Sequence, residues 1–207
     1  MAKVEFFHSI TIDLPYEKIY ARLGYAKGIT VLNAQQEAHI EQYIDEAFQY
    51  IALKGAACRI PIEKNQDDIV IAGDIRLESK DISKFLRGSD EIVFIGATAG
   101  GEVIDKIKEY SQKAQMDKAV IFDATASEMV DDALSWIMDF LSYQIRRENK
   151  QFTPHRYSAG YGDFSLDNQK IICETLQMSA LDVTLTDHCV LIPEKTVTAI
   201  AGIEPIL

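Results

Sequence analysis

Residues 155–169 read His155-Arg-Tyr-Ser-Ala-Gly160-Tyr-Gly-Asp-Phe-Ser165-Leu-Asp-Asn-Gln169. Neither an amphipathic helix nor an alternating strand would gather this mixture of one arginine, two glycines and three aromatic rings. Arg156 offers a planar fork of donors suited to a carboxylate or phosphate. Gly160 lets the backbone come close to whatever that fork holds. Tyr161 can lay its ring on a flat or cationic group. Ser165 is then expected to N-cap a helix whose apolar Ile171, Ile172 and Leu176 follow at helical spacing. A helix N-terminus beside the loop adds a preference for negative charge. The stretch reads as a binding loop, and the alternative on residue types alone is a surface turn with Arg156 paired to one of many acids.

On the N-terminal side, residues 4–12 alternate weakly as a strand, and Pro15 opens a short helix that stops at Gly24. Asn33 with Gln36 predicts an N-cap pair, and Ile40, Tyr43, Ile44, Ala47, Phe48 and Ile51 form one apolar stripe. Residues 56–62 and 68–78 are expected to be two strands joined by the polar turn at 63–67. Residues 81–88 read as a short helix with a glycine stop.

In the middle, Glu91-Ile-Val-Phe-Ile-Gly96 is a buried-type strand and residues 97–101 a glycine-rich loop. A helix over 102–116 and a strand over 118–123 would complete the outline of a nucleotide-binding strand-loop-helix-strand unit. The loop lacks the middle glycine of G-x-G-x-x-G and the Gly-Lys-Ser/Thr of the P-loop, so a nucleotide-binding enzyme using 96–101 stands as the rival reading. Thr125 with Glu128 reads as a capping box for the longest helix, and Glu128 could alternatively reach a ligand ammonium or ribose. After the loop, three strands or strand pieces are expected within 182–200.

The chain has 207 residues, 47% hydrophobic, with a formal net charge of −11. That length buries one full core, and the acidic balance argues against nucleic acid or an anionic membrane as a direct partner. Cys58, Cys173 and Cys189 have no metal-ligand spacing and read as reduced thiols of a cytoplasmic protein. His8, His39, His155 and His188 are dispersed, so no metal site is expected. No membrane span or signal peptide is expected either.

Arg156-Tyr-Ser-Ala-Gly160-Tyr161 resembles the R-x-x-x-G-Y signature of the activation domain of cobalamin-dependent methionine synthase, which holds S-adenosylmethionine. The likeness continues through the Leu-Thr-Asp and Pro-Glu-Lys-Thr-Val of 185–197, the Arg-Leu-Gly-Tyr at 22–25, and residues 93–101 and 120–124. The resemblance implies an α+β domain on a twisted, mainly antiparallel sheet with packed helices. It spans 1–207 as one unit, with a helix-and-strand part at 1–90 and a loop-bearing part at 91–207. It implies S-adenosylmethionine as ligand, with Arg156, Ser158, Ala159, Gly160, Tyr161 and Glu128 as its binding residues and no catalytic side chain. Cobalamin would be met only through a partner, since the D-x-H-x-x-G pattern of cobalamin-binding modules is absent. The implied partners are a methionine synthase or other corrinoid protein and a flavodoxin- or ferredoxin-like electron donor. Gly162-Asp163 stand where the large enzymes of the family have Pro, and tyrosines that complete their site have no counterpart, so another chain is expected to supply part of the pocket. A non-catalytic interaction protein with the same fold is the remaining alternative.

Overall fold

The computed structural model describes residues 3–26, 28–66 and 68–206. Its centre is a five-stranded sheet in the order β1 (Val4–Phe7), β2 (Lys54–Pro61), β6 (Glu91–Thr98), β10 (Thr196–Pro205), β7 (Lys150–Phe152), with every neighbouring pair antiparallel. Strand β6 lies in the middle, with Phe94 opposite Cys58 on one side and Ile200 on the other. Its side chains alternate between two cores. Ile92 and Phe94 join Ala56, Cys58 and Ile60 on one face, whereas Val93, Ile95 and Ala97 join Ala57, Ala199 and Ala201 on the other. The mainly antiparallel α+β architecture expected from the sequence is the one observed.

The second of those faces is covered by α5 (Met116–Arg146), with α4 (Glu102–Gln112) beside it. Helix α5 packs outward against α1 (Tyr16–Arg22) and α2 (Ala34–Phe48) through Ile121 and Ala124. It therefore has two buried sides. This corrects the strand expected at 118–123: an apolar run covered on both sides looks the same in sequence whether strand or helix. Thr125 and Glu128 consequently lie inside the helix and form no capping box, and the Thr125 hydroxyl donates to the Ile121 carbonyl at 2.7 Å. Lys118 ties α2, α4 and α5 together, pairing with Glu46 at 2.6 Å with its ammonium 4.3 Å from the Tyr110 ring centre.

The opposite face carries α3 (Lys80–Phe85), the loop 153–167, α6 (Asn168–Thr175), a 3-10 turn (Met178–Leu181), and a small sheet of β3 (Lys64–Gln66), β4 (Ile69–Ala72) and β5 (Ile75–Glu78). The expected 68–78 strand is a hairpin instead, broken where Gly73 takes a positive φ of 59°. The polar 63–67 turn contributes β3, although Asp67 lies outside the described residues. Asn33 and Gln36 do form the capping box of α2. Ser165 precedes the start of α6 by a turn, where its hydroxyl accepts from the Asp167 N–H at 3.2 Å. At the C-terminal end, β8 (Thr184–Leu185) and β9 (Leu191–Ile192) pair as a two-stranded hairpin, and β10 runs on as one long strand.

Helix α5 leaves no room for a side chain at Gly55, where an added Cβ would lie 2.5 Å from Ile137 Cδ1 and 2.8 Å from the Gly96 carbonyl oxygen. Gly55→Ala is therefore expected to lower stability by about 1–3 kcal/mol. An unchanged urea midpoint for that variant would contradict this packing.

Candidate functional site

Position in the loop begins with Tyr157. Its N–H donates to the Ile200 carbonyl at 2.9 Å and its carbonyl accepts from the Ile200 N–H at 2.8 Å, so this residue forms an isolated bridge to β10 beyond the end of β7. The Tyr157 ring packs between Phe85 and Phe164. Its neighbours are thereby directed elsewhere, because adjacent residues in extended chain point to opposite faces. Arg156 reaches α5, where its guanidinium donates to Ser135 Oγ at 3.3 Å. The Ser158 hydroxyl donates to the Thr198 carbonyl on β10 at 2.9 Å.

The chain then turns sharply. Gly160 has φ of 91° and its N–H donates to the Phe164 carbonyl at 2.8 Å. Ala159 is buried beneath, whereas Tyr161 stands 69% exposed at the tip. Gly162 has a φ of 54° and no room for a side chain, since a Cβ would lie 2.2 Å from Asp81 Oδ2 and 2.5 Å from the Tyr157 hydroxyl. Asp163 pins this tip to α3: its carboxylate accepts from the Ser79 hydroxyl and from the N–H groups of Lys80 and Asp81 at 2.8 and 3.2 Å. Asp81 answers by accepting from the Asp163 N–H and the Tyr157 hydroxyl, each at 3.3 Å. These donors, the Ser79 hydroxyl first, hold the Asp163 carboxyl below the usual carboxylate range.

A cavity of about 650 Å³ opens beside the loop. Its walls are Arg156, Ser158 and Tyr161 from the loop, Asp131 from α5, Gln169 from α6, and the Thr196–Ala199 stretch of β10. That stretch faces the cavity because β7 covers β10 only at residues 203–205. Gln169 is buried, and its amide donates to the Thr198 hydroxyl at 2.6 Å. Burial first, and the Glu128 charge next, raise the Asp131 carboxyl above its ordinary value, against the pull of Arg22 and Arg156. The cavity thus presents a fixed cation and a carboxylate on neighbouring walls, with hydroxyls and an amide between them and an exposed ring at the mouth. Such a site suits a ligand that carries both charges and a flat group.

Arg156, Ser158 and Tyr161 are brought together as expected, with Ala159 and Gly160 shaping the turn between them. Glu128 is not: it lies one turn before Asp131, off the cavity wall, in an ion pair with Arg22 of α1. The cavity wall also holds Asp131, Gln169 and Thr198, which the sequence alone does not single out. For Asp131 the available signal was its i+3 spacing from Glu128, usable only once 116–146 is known to be one helix.

The glycine-rich loop does not form a nucleotide cradle. The sheet around it is antiparallel, and the element after α4 is helix α5 rather than a strand. Its backbone is spent internally: the Ala99 carbonyl accepts from the Ala52 N–H at 2.9 Å, the Ala99 N–H donates to the Lys195 carbonyl at 2.8 Å, and the Gly100 N–H donates to Thr98 Oγ1 at 3.2 Å. Among the described residues no group of three or more His, Cys, Asp or Glu could hold a metal ion, and no helix is long and apolar enough to cross a membrane.

No protein-family model and no curated protein matches the sequence. Among solved structures, the chain is similar to that described as the MetH reactivation domain bound to AdoHcy, with a TM-score of 0.66 over 97% of this chain and 78% of that one. The chain has the fold of that domain. Identity is 12%, so the likeness resides in the arrangement of elements rather than in shared side chains.

The Asp163 link to α3 carries a pH signature. A carboxyl held low in the folded state stabilises it above the unfolded value of about 4, and the contribution is lost as pH falls through the folded value. Asp163→Asn is expected to lower the melting temperature at pH 7, with the gap to the unaltered protein closing below about pH 4. A gap that stays constant down to pH 3 would contradict the link.

Proposed function

We propose that this chain is an S-adenosylmethionine-binding module of the reactivation type, which presents a methyl group to cobalamin carried by a separate methionine synthase or other corrinoid methyltransferase, once the oxidised cobalt has been reduced by one electron. The observation that carries the reading is the pairing of Arg156 and Asp131 on one cavity beneath the exposed Tyr161. S-adenosylmethionine bears a carboxylate for the guanidinium, cationic groups for the carboxylate, and a flat base for the ring. The R-x-x-x-G-Y sequence at 156–161 and the likeness to a domain solved with AdoHcy support it.

The implied chemistry asks the chain only to position its ligand. The methyl donor is already activated as a sulfonium, and no proton has to be moved. Holding the sulfonium at the mouth of the cavity for a reduced acceptor on the partner lowers the entropic barrier to transfer. A flavodoxin- or ferredoxin-like donor would supply the electron.

Isothermal titration of the purified chain with S-adenosylmethionine, with ATP and NAD as controls, tests this. Saturable binding of S-adenosylmethionine alone is expected, weakened in Arg156→Ala, by about 2–5 kcal/mol if the bound ligand excludes water from the charge pair. Asp131→Asn is expected to narrow the preference for the sulfonium over the uncharged thioether AdoHcy. No binding, either alone or with a cobalamin-carrying protein added, would contradict the proposal.

A further inference from the structure

Gln169 occupies a position that packing alone would give to an apolar residue. On α6 it falls in line with Ile172, Cys173 and Leu176, the stripe that joins the core under the loop, and it is only 5% exposed. An amide buried in such a stripe is costly unless both of its ends are satisfied. The nitrogen end is satisfied: it donates to Thr198 Oγ1 at 2.6 Å and lies 3.8 Å from Cys173 Sγ, one turn on. The carbonyl end takes no hydrogen bond from any described residue. Yet it is not one of the two polar side-chain atoms, Tyr20 Oη and Ser89 Oγ, that are sealed away without a partner among those residues. The open space it borders is the cavity whose wall Gln169 helps to form. A fixed acceptor therefore faces the ligand space, and the protein supplies no donor for it.

Its place in the cavity decides which part of a ligand it meets. Asp131 belongs to α5, and Arg156 is turned toward α5 by its bond to Ser135, whereas Gln169 comes from α6 on the other side of the gap. The inference that follows rests on the function proposed above. With the amino-acid half of S-adenosylmethionine held by the charged pair, the half that reaches α6 is adenosine. Adenosine carries donors in two places, the 6-amino group of the base and the hydroxyls of the ribose, and an amide oxygen accepts from either.

We infer that Gln169 is a specificity-determining residue of this site, its carbonyl oxygen accepting a hydrogen bond from the adenosine half of the ligand. Thr198 is a positioning residue that acts through it, because the bond from the amide nitrogen to the Thr198 hydroxyl turns the oxygen toward the cavity. A ligand without a donor at that point would leave the oxygen buried and unpaired, and sites built around a buried polar group reject such ligands.

Isothermal titration with S-adenosylmethionine and with its 6-deamino, 2′-deoxy and 3′-deoxy analogues tests this, on the chain alone or with a cobalamin-carrying protein present, whichever gives binding. At least one analogue is expected to bind about tenfold more weakly than S-adenosylmethionine. That penalty is expected to vanish in Gln169→Met, which fills a similar space without an acceptor. A penalty on the 6-deamino compound assigns the bond to the base, and one on a deoxy compound assigns it to the sugar. Each comparison is between ligands on one variant, so a general loss of stability cancels. Should Gln169→Met not fold, Gln169→Asn withdraws the oxygen by one methylene and is expected to act in the same way. The inference alone is overturned if S-adenosylmethionine binds and no analogue is penalised, or if the penalty persists undiminished in the variant. Failure of S-adenosylmethionine itself to bind in either condition overturns the proposed function together with it.

Discussion

A strand buried on both faces has to be covered twice, and β6 imposes that requirement on the whole molecule. Phe94 and Ile95 are adjacent in sequence and point into different cores. One core is closed by α5 and α4. The other cannot be closed by a helix of comparable length, because the chain that returns to it is spent on α3, a small sheet and the 153–167 loop. The loop is therefore a core-covering element as well as a wall of the cavity: Phe164 and Ala159 are buried in the layer over Phe94, and that burial fixes where Arg156 and Tyr161 emerge.

The same constraint explains why the cavity lies where it does. Strand β10 is longer than β7, so its outer edge is left for the loop to cover, and the single bridge at Tyr157–Ile200 does so incompletely. Thr196 to Ala199 then face a gap bounded by α5 on one side and α6 on the other. At the tip, Gly162-Asp163 form a hydrogen-bonded turn, in which the Asp81 and Asp163 carboxylates each accept from the other's segment.

Much of this was legible in the sequence, for reasons that differ by element. Asn33 and Gln36 announce the start of α2 because a cap is a local interaction, complete within four residues. Residues 156–161 announce an irregular turn because no regular element tolerates their composition. Residues 118–123 read as a strand in sequence because Ala119 and Phe122 face the sheet core while Ile121 and Ala124 face α1 and α2, which erases the helical period. With a strand there, Glu128 reads as a helix cap and Asp131, one turn on, carries no signal. Gln169 and Thr198 were illegible for a tertiary reason: the bond between them joins residues on α6 and β10, and nothing local marks either partner.

In the function proposed here, one cavity, framed by Arg156, Asp131 and the edge of β10, receives S-adenosylmethionine with its methyl group toward the open mouth. Nuclear Overhauser contacts from S-adenosylmethionine carrying a carbon-13 methyl group test it most directly. The account predicts contacts from the base and amino-acid protons to Ser158, Ala159 and Thr198, and from the methyl group to the Tyr161 ring. Contacts confined to the Ala99–Gly101 loop, or to Tyr20 and Tyr25, would contradict it.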